Sequence, residues 1–244
     1  MALKTELYNL LKSIARKLGF DVIRYQHHCH PLARRLRLMQ HYGINLIVDV
    51  GAGEGQYAVL MRQRGYRGRI VSFEPLSASF AALQAKARRD SAWEAVNLAL
   101  GDHNGEAILN IAEHAVASSL LPIYPEIVSF YPGGRPVASE RVSVRTLDAV
   151  ISDYLRPEDR PFLKLDTQGY EKRVLEGAQA SLPRFLGLQL ELSLRPLYQG
   201  EASFLETLDY TLSQGFTLMA LEPGFSHPET GRMLQVDALF FREN

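Results

Sequence analysis

The chain has 244 residues, of which 46% are hydrophobic and 22% charged, and its formal net charge is zero. This composition is typical of a globular protein, and the length suffices for one large domain with a substantial core. The single cysteine, Cys29, excludes an intrachain disulfide, and no apolar run approaches the ~20 residues of a membrane-spanning helix. Charged residues also interrupt any secretory signal near the N-terminus, so we expect a cytoplasmic protein without a transmembrane segment.

Residues 1–42 are predicted to form a helical N-terminal extension. Eight basic and two acidic residues give this extension a charge of +6, so the remaining residues carry −6. Apolar residues at helical spacing predict one amphipathic helix that ends near Gly19 and a second that follows Pro31. Such an arm can cover a site, form a homodimer contact or approach an anionic substrate or membrane surface, and the simplest interpretation is a solvated helix face.

A histidine-rich stretch, His27-His28-Cys29-His30, lies between the two predicted helices. Adjacent residues cannot all face one ion, and no second cluster completes a tetrahedral ligand set. We therefore predict no metal site in this stretch.

From residue 45 onward, strand and helix patterns alternate, which predicts a doubly wound α/β domain over residues 43–244. The predicted strands have near-continuous apolar runs, typical of a parallel sheet covered on both faces, and the last two form an antiparallel hairpin. The predicted strands are 45–50, 69–73, 93–100, 162–165, 185–193, 216–221 and 233–241. The predicted helices are 56–64, 77–89 with Ser77 as its N-cap, 146–155, 170–180 and 202–214.

Residues 113–140 interrupt this alternation between an added pair of strands at 106–112 and 141–144. The segment is rich in proline and glycine, but it also contains aromatic residues, which are uncommon in disordered linkers. We predict a cap-like insertion over the functional site; the alternative is an edge insertion without ligand contact.

The functional site is predicted at the carboxyl ends of the strands, where doubly wound sheets bind their ligands. Residues 45–57 read as a buried strand, a tight turn with glycines at alternate positions, and a helix start. Acidic residues stand near five predicted strand ends and would meet at one edge: Asp49, Glu74, Asp102, Asp166 and Glu191.

Two cofactors compete for the glycine turn. A dinucleotide favours G-x-G-x-x-G, whereas this turn reads G-x-G-x-G, with Gln56 at the place of the third glycine and Glu54 near any phosphate. S-adenosylmethionine (SAM) has no phosphate, and its sulfonium cation suits an acidic rim. Glu74 follows Gly55 by 19 residues, close to the spacing of an acid that binds ribose hydroxyls. We therefore favour SAM, and the alternatives are an NAD(P)-dependent oxidoreductase and a non-catalytic SAM-binding protein.

The chain also contains a set of motifs that is specific in combination. They are VDVGAGEGQY (48–57), FEP (73–75), LALGD (98–102), VSVRTLDAVI (142–151), LKLDTQGYEKRVLEGA (163–178) and LQLELS (188–193). Together they make residues 45 to about 241 resemble the FkbM family of SAM-dependent methyltransferases. The resemblance implies a class I methyltransferase fold, a Rossmann-like and mostly parallel seven-stranded sheet with an antiparallel last strand. It also implies O-methylation of a small molecule or glycan, commonly of a sugar or polyketide hydroxyl.

The same motifs imply the cofactor site. Glu74 would hold the ribose, Asp102 would lie near the adenine, and Asp166 would lie beside the methyl group. The full predicted cofactor set is Asp49, Gly51, Gly53, Gly55, Tyr57, Glu74, Pro75, Gly101, Asp102 and Asp166. In one departure, many relatives carry an acidic residue where this chain has Gln168.

Three residues are predicted to carry the chemistry. Asp166 is the first candidate for the base that accepts the hydroxyl proton, and Glu191 is the second. Strand periodicity places Lys164 on the same side as Asp166, so Lys164 could keep Asp166 ionised or bind the hydroxyl; alternatively, the two form only a structural ion pair. Asp166 and Glu191 could instead bind a divalent cation, although no metal is assigned. Nucleic acid is not an expected partner, because the domain lacks a dense basic stripe with interleaved aromatics.

Overall fold

The computed structural model describes residues 2–21 and 30–243. The chain divides into two compact units, the first ending at Leu38 and the second beginning at Met39. We predicted no metal site in the histidine-rich stretch. Three of its residues, His27, His28 and Cys29, lie outside the described residues, so this stays a prediction. Within the described ranges, no helix is long and apolar enough to cross a membrane.

The first unit contains helix α1 (Ala2–Lys17) and most of helix α2 (Pro31–His41). Gly19 has a left-handed backbone with φ of 81°, and its N–H donates to the carbonyl of Arg16 at 3.1 Å. The N–H of Phe20 donates to the carbonyl of Ala15 at 2.9 Å. This glycine-capped end confirms the predicted end of the first helix.

The second unit contains the ten strands and six further helices of the described chain. The strands are β1 (Leu46–Val50), β2 (Arg69–Phe73), β3 (Trp93–Val96), β4 (Ala99–Leu100), β5 (Gly105–Ala112), β6 (Pro136–Arg145), β7 (Pro161–Leu165), β8 (Gly187–Ser193), β9 (Thr217–Pro223) and β10 (Gln235–Phe241). The helices are α3 (Gln56–Gln63), α4 (Ser77–Ala87), α5 (Pro125–Phe130), α6 (Leu147–Val150), α7 (Glu171–Glu176) and α8 (Phe204–Ser213).

Seven strands form the main sheet in the order β3-β2-β1-β7-β8-β10-β9. Neighbours from β3 to β8 pair in parallel, whereas β10 runs antiparallel to both β8 and β9. The order reverses at β1, so the β1–α3 turn and the end of β7 lie at the switch point, where such sheets bind ligands. The predicted mostly parallel sheet with an antiparallel last strand is confirmed.

The core lies on both faces of this sheet and gives its strand ends a rigid base. Every residue of β1 and β7 is buried. The largest fully buried side chains include Phe73, Phe162 and Phe240. Burial of each such side chain contributes about 1.5–3 kcal/mol to the free energy of unfolding. The strand ends therefore adjoin a well-stabilised core.

A smaller second sheet has the order β4-β6-β5 and corrects one prediction. The single strand predicted over 93–100 is wrong, because the main-sheet strand ends at Val96 and Ala99 pairs with Val144 of β6. At the break, Asn97 Nδ2 donates to the carbonyls of Glu74 and Pro75 at 2.9 and 3.0 Å. Asp102 therefore follows the second sheet and not the main one.

The N-cap predicted at Ser77 is also wrong. Leu76 is the cap residue, with an extended backbone, and Ser77 is the first residue of α4. The Ser77 side chain instead donates to the Glu140 carboxylate, which also accepts the Ser77 N–H at 3.2 Å. A neighbouring strand thus supplies the acceptor that a capping side chain would have provided.

Residues 113–140 form a packed insertion with short helical elements. They contain α5 and two 3₁₀ turns, at Ala115–Ala117 and Pro132–Gly134, and their last residues belong to β6. The Phe130 ring lies 4.2 Å from the His227 ring. Ile123 pairs with Tyr198, which follows β8. The insertion therefore packs on loops that follow β8 and β9, at the carboxyl side of the main sheet.

Candidate functional site

The β1–α3 turn contains three glycines with left-handed backbones: Gly51, Gly53 and Gly55 have φ of 72°, 55° and 87°. A Cβ on Gly51 would lie 1.9 Å from the backbone oxygen of Asp166, so only glycine allows β1 and β7 to approach here. A Cβ on Gly53 would meet only the Gln56 side chain, at 3.1 Å. Gly53 therefore leaves an open backbone surface that a ligand can approach.

Glu74 braces this turn from the end of β2. Its carboxylate accepts the N–H of Gly53 at 2.7 Å and that of Leu76 at 2.9 Å. Burial raises the pKa of Glu74, and these two backbone hydrogen bonds partly oppose the rise. Each carboxylate oxygen keeps a second lone pair, so Glu74 can still accept hydroxyl donors.

Lys164 forms a buried ionic group at the centre of the site. Its Nζ lies 3.0 Å from Asp49 Oδ1 and 3.4 Å from Asp166 Oδ2, and it donates to the carbonyl of Gly51 at 3.2 Å. Burial disfavours the ammonium charge, but the two carboxylates outweigh it and hold the pKa of Lys164 above its usual value. The predicted pairing of Lys164 with Asp166 is thus found, and Asp49 is a further partner that the sequence did not indicate.

Tyr57 places an aromatic ring beside this group. Lys164 Nζ lies 5.4 Å from the ring centroid, a cation–π distance. The Tyr57 hydroxyl donates to Gln189 Oε1 at 3.1 Å, and Gln189 Nε2 donates to Asp237 at 3.1 Å. Gln189 and Asp237 therefore extend the site across β8 and β10, beyond the sequence prediction.

Gln168 connects the two candidate bases. Its Nε2 donates to Asp166 Oδ1 at 2.8 Å and to Glu191 Oε2 at 2.6 Å. Gln235 Nε2 also donates to Glu191 Oε2, at 2.8 Å. Gln168 is the only non-glycine residue of the described chain with a positive φ, 56°, and this backbone turns its amide toward both carboxylates.

Gln168 also contacts the insertion. The Ser119 hydroxyl donates to the Gln168 backbone carbonyl at 2.7 Å. The Tyr198 hydroxyl lies 2.8 Å from Gln168 Oε1 and 3.1 Å from the carbonyl of Ala117. Residues 113–140 thus contact the site through Gln168, and their predicted role as a cap stays a prediction.

Several carboxyl groups at this edge hold protons more tightly than usual. Burial, followed by the charges of Asp166 and Glu171, raises the pKa of Glu191 well above its usual value. Burial raises the pKa of Glu171 to about 7, although the N–H of Thr167 donates to its carboxylate at 2.6 Å. Glu171 can therefore accept or release a proton near neutral pH.

Gly101 and Asp102 lie at the start of the β4–β5 connection. Their hydrogen bonds are to Arg145 and His103 and not to the residues around Lys164. Asp102 pairs with His103 at 2.7 Å and is partly exposed. Burial tends to raise the pKa of Asp102, but hydrogen bonds and nearby positive charge hold it below its usual value. A Cβ on Gly101 would lie 2.9 Å from the Tyr170 ring, so packing accounts for this glycine.

The residues present fit SAM better than a phosphate-bearing cofactor. Asp49 and Asp166 form ion pairs with a single cation, Lys164, and Gln168 links Asp166 to the Glu191 carboxyl group, so the region favours a further positive charge. The glycine turn presents open backbone at Gly53 beside the Glu74 carboxylate. For a metal, the described ranges contain no group of three or more His, Cys, Asp or Glu residues arranged as ligands. Between Asp166 and Glu191, the Gln168 amide donors occupy the position that a shared cation would need.

Comparisons with known proteins agree with this fold. The methyltransferase FkbM domain profile matches residues 49–218, more than half of the chain. The crystal structure of methyltransferase FkbM from Methylobacillus flagellatus KT is similar at a TM-score of 0.50 and 18% identity, over 80% of this chain and 43% of that chain. This chain therefore spans less than half of that relative's length. The class I methyltransferase fold is confirmed.

Two further solved structures are more distant. An rRNA methylase from Streptococcus thermophilus has a TM-score of 0.48 and 11% identity, over 88% of this chain and 98% of that one. A putative methyltransferase from Streptococcus mutans, in complex with SAH, has a TM-score of 0.47 and 10% identity, over 91% and 100%. No curated protein sequence matches the chain.

Proposed function

The chain belongs to the FkbM methyltransferase family, and we propose that it transfers a methyl group from SAM to a hydroxyl of a small molecule or glycan, of the sugar or polyketide type. The observation that carries this proposal is the Asp166 carboxylate, which is held between Lys164 and Gln168 beside the glycine turn. A carboxylate in this position can accept the hydroxyl proton as the oxygen–methyl bond forms.

The cofactor would be held by residues of the turn and the neighbouring strand ends. Gly51, Gly53 and Gly55 provide the backbone surface, Glu74 the acceptor for ribose hydroxyls, and Asp166 the negative charge near the sulfonium. When bound, SAM supplies a methyl group that is already activated for transfer.

The protein's own contribution is then orientation and proton removal. Alignment of the acceptor hydroxyl with the methyl group supplies much of the acceleration. Lys164 places a positive charge 3.4 Å from Asp166 Oδ2, and Gln168 fixes the orientation of the Asp166 carboxylate through the hydrogen bond to Oδ1. Glu191, which shares the Gln168 amide, is the second candidate to receive the proton.

Titration calorimetry of the folded chain with SAM, S-adenosylhomocysteine and NAD tests the cofactor. We expect the first two to bind and NAD not to bind. If NAD binds and neither SAM nor S-adenosylhomocysteine does, the chain would instead be assigned as an oxidoreductase.

Formation of S-adenosylhomocysteine in the presence of sugar or polyketide alcohols tests the reaction. We expect Asp166→Asn to lower turnover at saturating SAM by about 10²–10⁴-fold, the usual effect of removing a general base, and also to weaken SAM binding, because it removes the negative charge near the sulfonium. Asp153→Asn, at an exposed position, is the matched control. Methylation of amines or RNA, but of no hydroxyl compound, would overturn the proposed acceptor. Binding without any turnover would indicate a SAM-binding protein.

A further inference from the structure

Helix α1 exposes a continuous apolar stripe. Leu10, Leu11, Ile14 and, just beyond the helix, Leu18 and Phe20 are each between 49% and 70% exposed. At 100° per residue, the three helical members of this set lie on one face. Surface-exposed apolar residues that occur singly are ordinary, but a contiguous stripe of this kind marks an interaction surface.

A second surface of the helix is polar and basic. Lys12, Arg16 and Lys17 share one surface with Asn9 and Ser13. Over its whole length the helix carries four basic residues and one acidic residue, Glu6. Arg16 is also 3.1 Å from Asp21, in an ion pair that is largely exposed and therefore weak.

This combination of an apolar face and a basic polar face distinguishes between possible partners. A second copy that paired through the same stripe would bring together two helices that each carry a net positive charge, so like charges would repel in either helix orientation. A nucleic acid would use the basic face but leave the apolar stripe in water. An anionic bilayer satisfies both faces, because acyl chains receive the apolar side chains and the headgroups attract the positive charge.

We propose that α1 binds the surface of an anionic lipid bilayer, with Leu10, Leu11 and Ile14 at the acyl boundary. Lys17, at the margin of the stripe, extends its ammonium group to the headgroups, and Lys12 adds longer-range attraction from the polar face. The helix lies in the plane of the interface. The proposal depends on neither the cofactor nor the reaction assigned to the second unit.

Flotation of the full chain with vesicles tests this proposal. We expect binding to vesicles of phosphatidylcholine with added phosphatidylglycerol, at least about tenfold weaker binding to phosphatidylcholine alone, and release at high salt. No binding to the anionic vesicles, or equal binding to both kinds, would overturn it.

Matched variants separate the two faces of the helix. The triple variant Leu10→Gln, Leu11→Gln, Ile14→Gln keeps good helix formers and should lose vesicle binding by about tenfold or more. Lys12→Gln with Lys17→Gln should weaken binding to the anionic vesicles by about tenfold. The control, Asn9→Gln with Ser13→Gln, should bind as the unaltered chain does.

Sedimentation and calorimetry complete the test. The proposal expects the same sedimentation state for the unaltered chain and the triple variant without lipid, and it expects both to give the same calorimetric response to SAM. If the chain self-associates and the triple variant is monomeric, with no vesicle binding by either, the stripe is a homodimer surface and the proposal fails. Loss of SAM binding with retained vesicle binding would count against the proposed function and leave this inference intact.

Discussion

Gln168 is the residue at which the two candidate bases meet, and its amide is suited to that place. A primary amide has two N–H donors, so it can join Asp166 and Glu191 without adding charge. An acid at this position would instead put three carboxyl groups in contact. The residue at position 168 therefore affects the net charge of the site.

Gln168→Glu should lower the free energy of unfolding at pH 8 by about 1–3 kcal/mol, because two hydrogen bonds are replaced by repulsion between carboxylates. Part of the loss should be recovered at pH 5, because a lower pH favours protonation of Glu191, whose pKa burial already raises, and so relieves the repulsion. Urea unfolding at both pH values measures the effect. Gln199→Glu adds the same charge at an exposed position and should change little. Equal losses for the two variants at pH 8 would contradict the role assigned to Gln168.

Glu171 should make stability fall as the pH rises. Burial raises its pKa from 4.5 to about 7, so between these pH values the folded chain binds more protons than the unfolded chain. Compared with Glu171→Gln, the unaltered chain should lose up to about 3 kcal/mol of unfolding free energy from pH 4.5 to pH 7.5. The difference between the two urea-unfolding curves at each pH gives this value. Glu158→Gln, at an exposed position, should show the pH dependence of the unaltered chain.

At the scale of elements, the β1–α3 turn depends on different glycines for different reasons. Gly51→Ala would push its Cβ against the backbone of Asp166, which is held by a hydrogen bond from its N–H to the carbonyl of Val50, and we expect a loss of about 3 kcal/mol or more. Gly53→Ala faces mainly backbone strain and should cost about 1 kcal/mol. Urea unfolding distinguishes the two variants. Calorimetry of folded Gly53→Ala should show weaker SAM binding, since its methyl group lies on the open surface of the turn.

The elements predicted from sequence were those with strong periodicity. The buried strands, the sheet type, the glycine turn and the Lys164–Asp166 contact follow from local patterns of apolar residues and from the two-residue period of a strand. The break between Val96 and Ala99 could not be predicted in this way, because Ala99 pairs with a strand that lies far along the chain. Ser77 was misassigned because its partner, Glu140, is also distant in sequence.

The side-chain contacts of the site that were not predicted have the same origin. Asp49 meets Lys164 because β1 and β7 pair in a register that brings them opposite each other, and no local pattern states that register. Gln235 and Tyr198 reach the site from distant segments. Gln168 was noticed as a departure from relatives, but its contacts depend on a positive φ that glutamine seldom adopts.

At the scale of the whole molecule, the chain divides into a helical unit and a sheet-containing unit. The buried core of the main sheet belongs to the second unit, whereas Leu10, Leu11 and Ile14 of α1 are largely exposed. The first unit falls within the predicted N-terminal extension, residues 1–42, and the second unit contains the candidate site.

Removal of residues 1–21 should therefore change the free energy of unfolding by no more than about 0.5 kcal/mol, the range of most surface changes. Calorimetry should show the same affinity for SAM before and after removal, while vesicle binding should be lost. A fall in stability of several kcal/mol would show that α1 is part of the folded core.

The contact between Ser119 and Gln168 has a consequence for protein engineering. Exchange of residues 113–135 with those of a relative is an obvious way to change acceptor choice, because insertions of this kind vary more than the sheet does. The exchanged segment would include Ser119, whose hydroxyl donates to the Gln168 carbonyl, and Ala117, whose carbonyl contacts the Tyr198 hydroxyl. Tyr198, which contacts the Gln168 side chain, would not be exchanged. A chimaera that alters either group also alters the setting of Asp166, so it should keep both or exchange Gln168 together with the insertion.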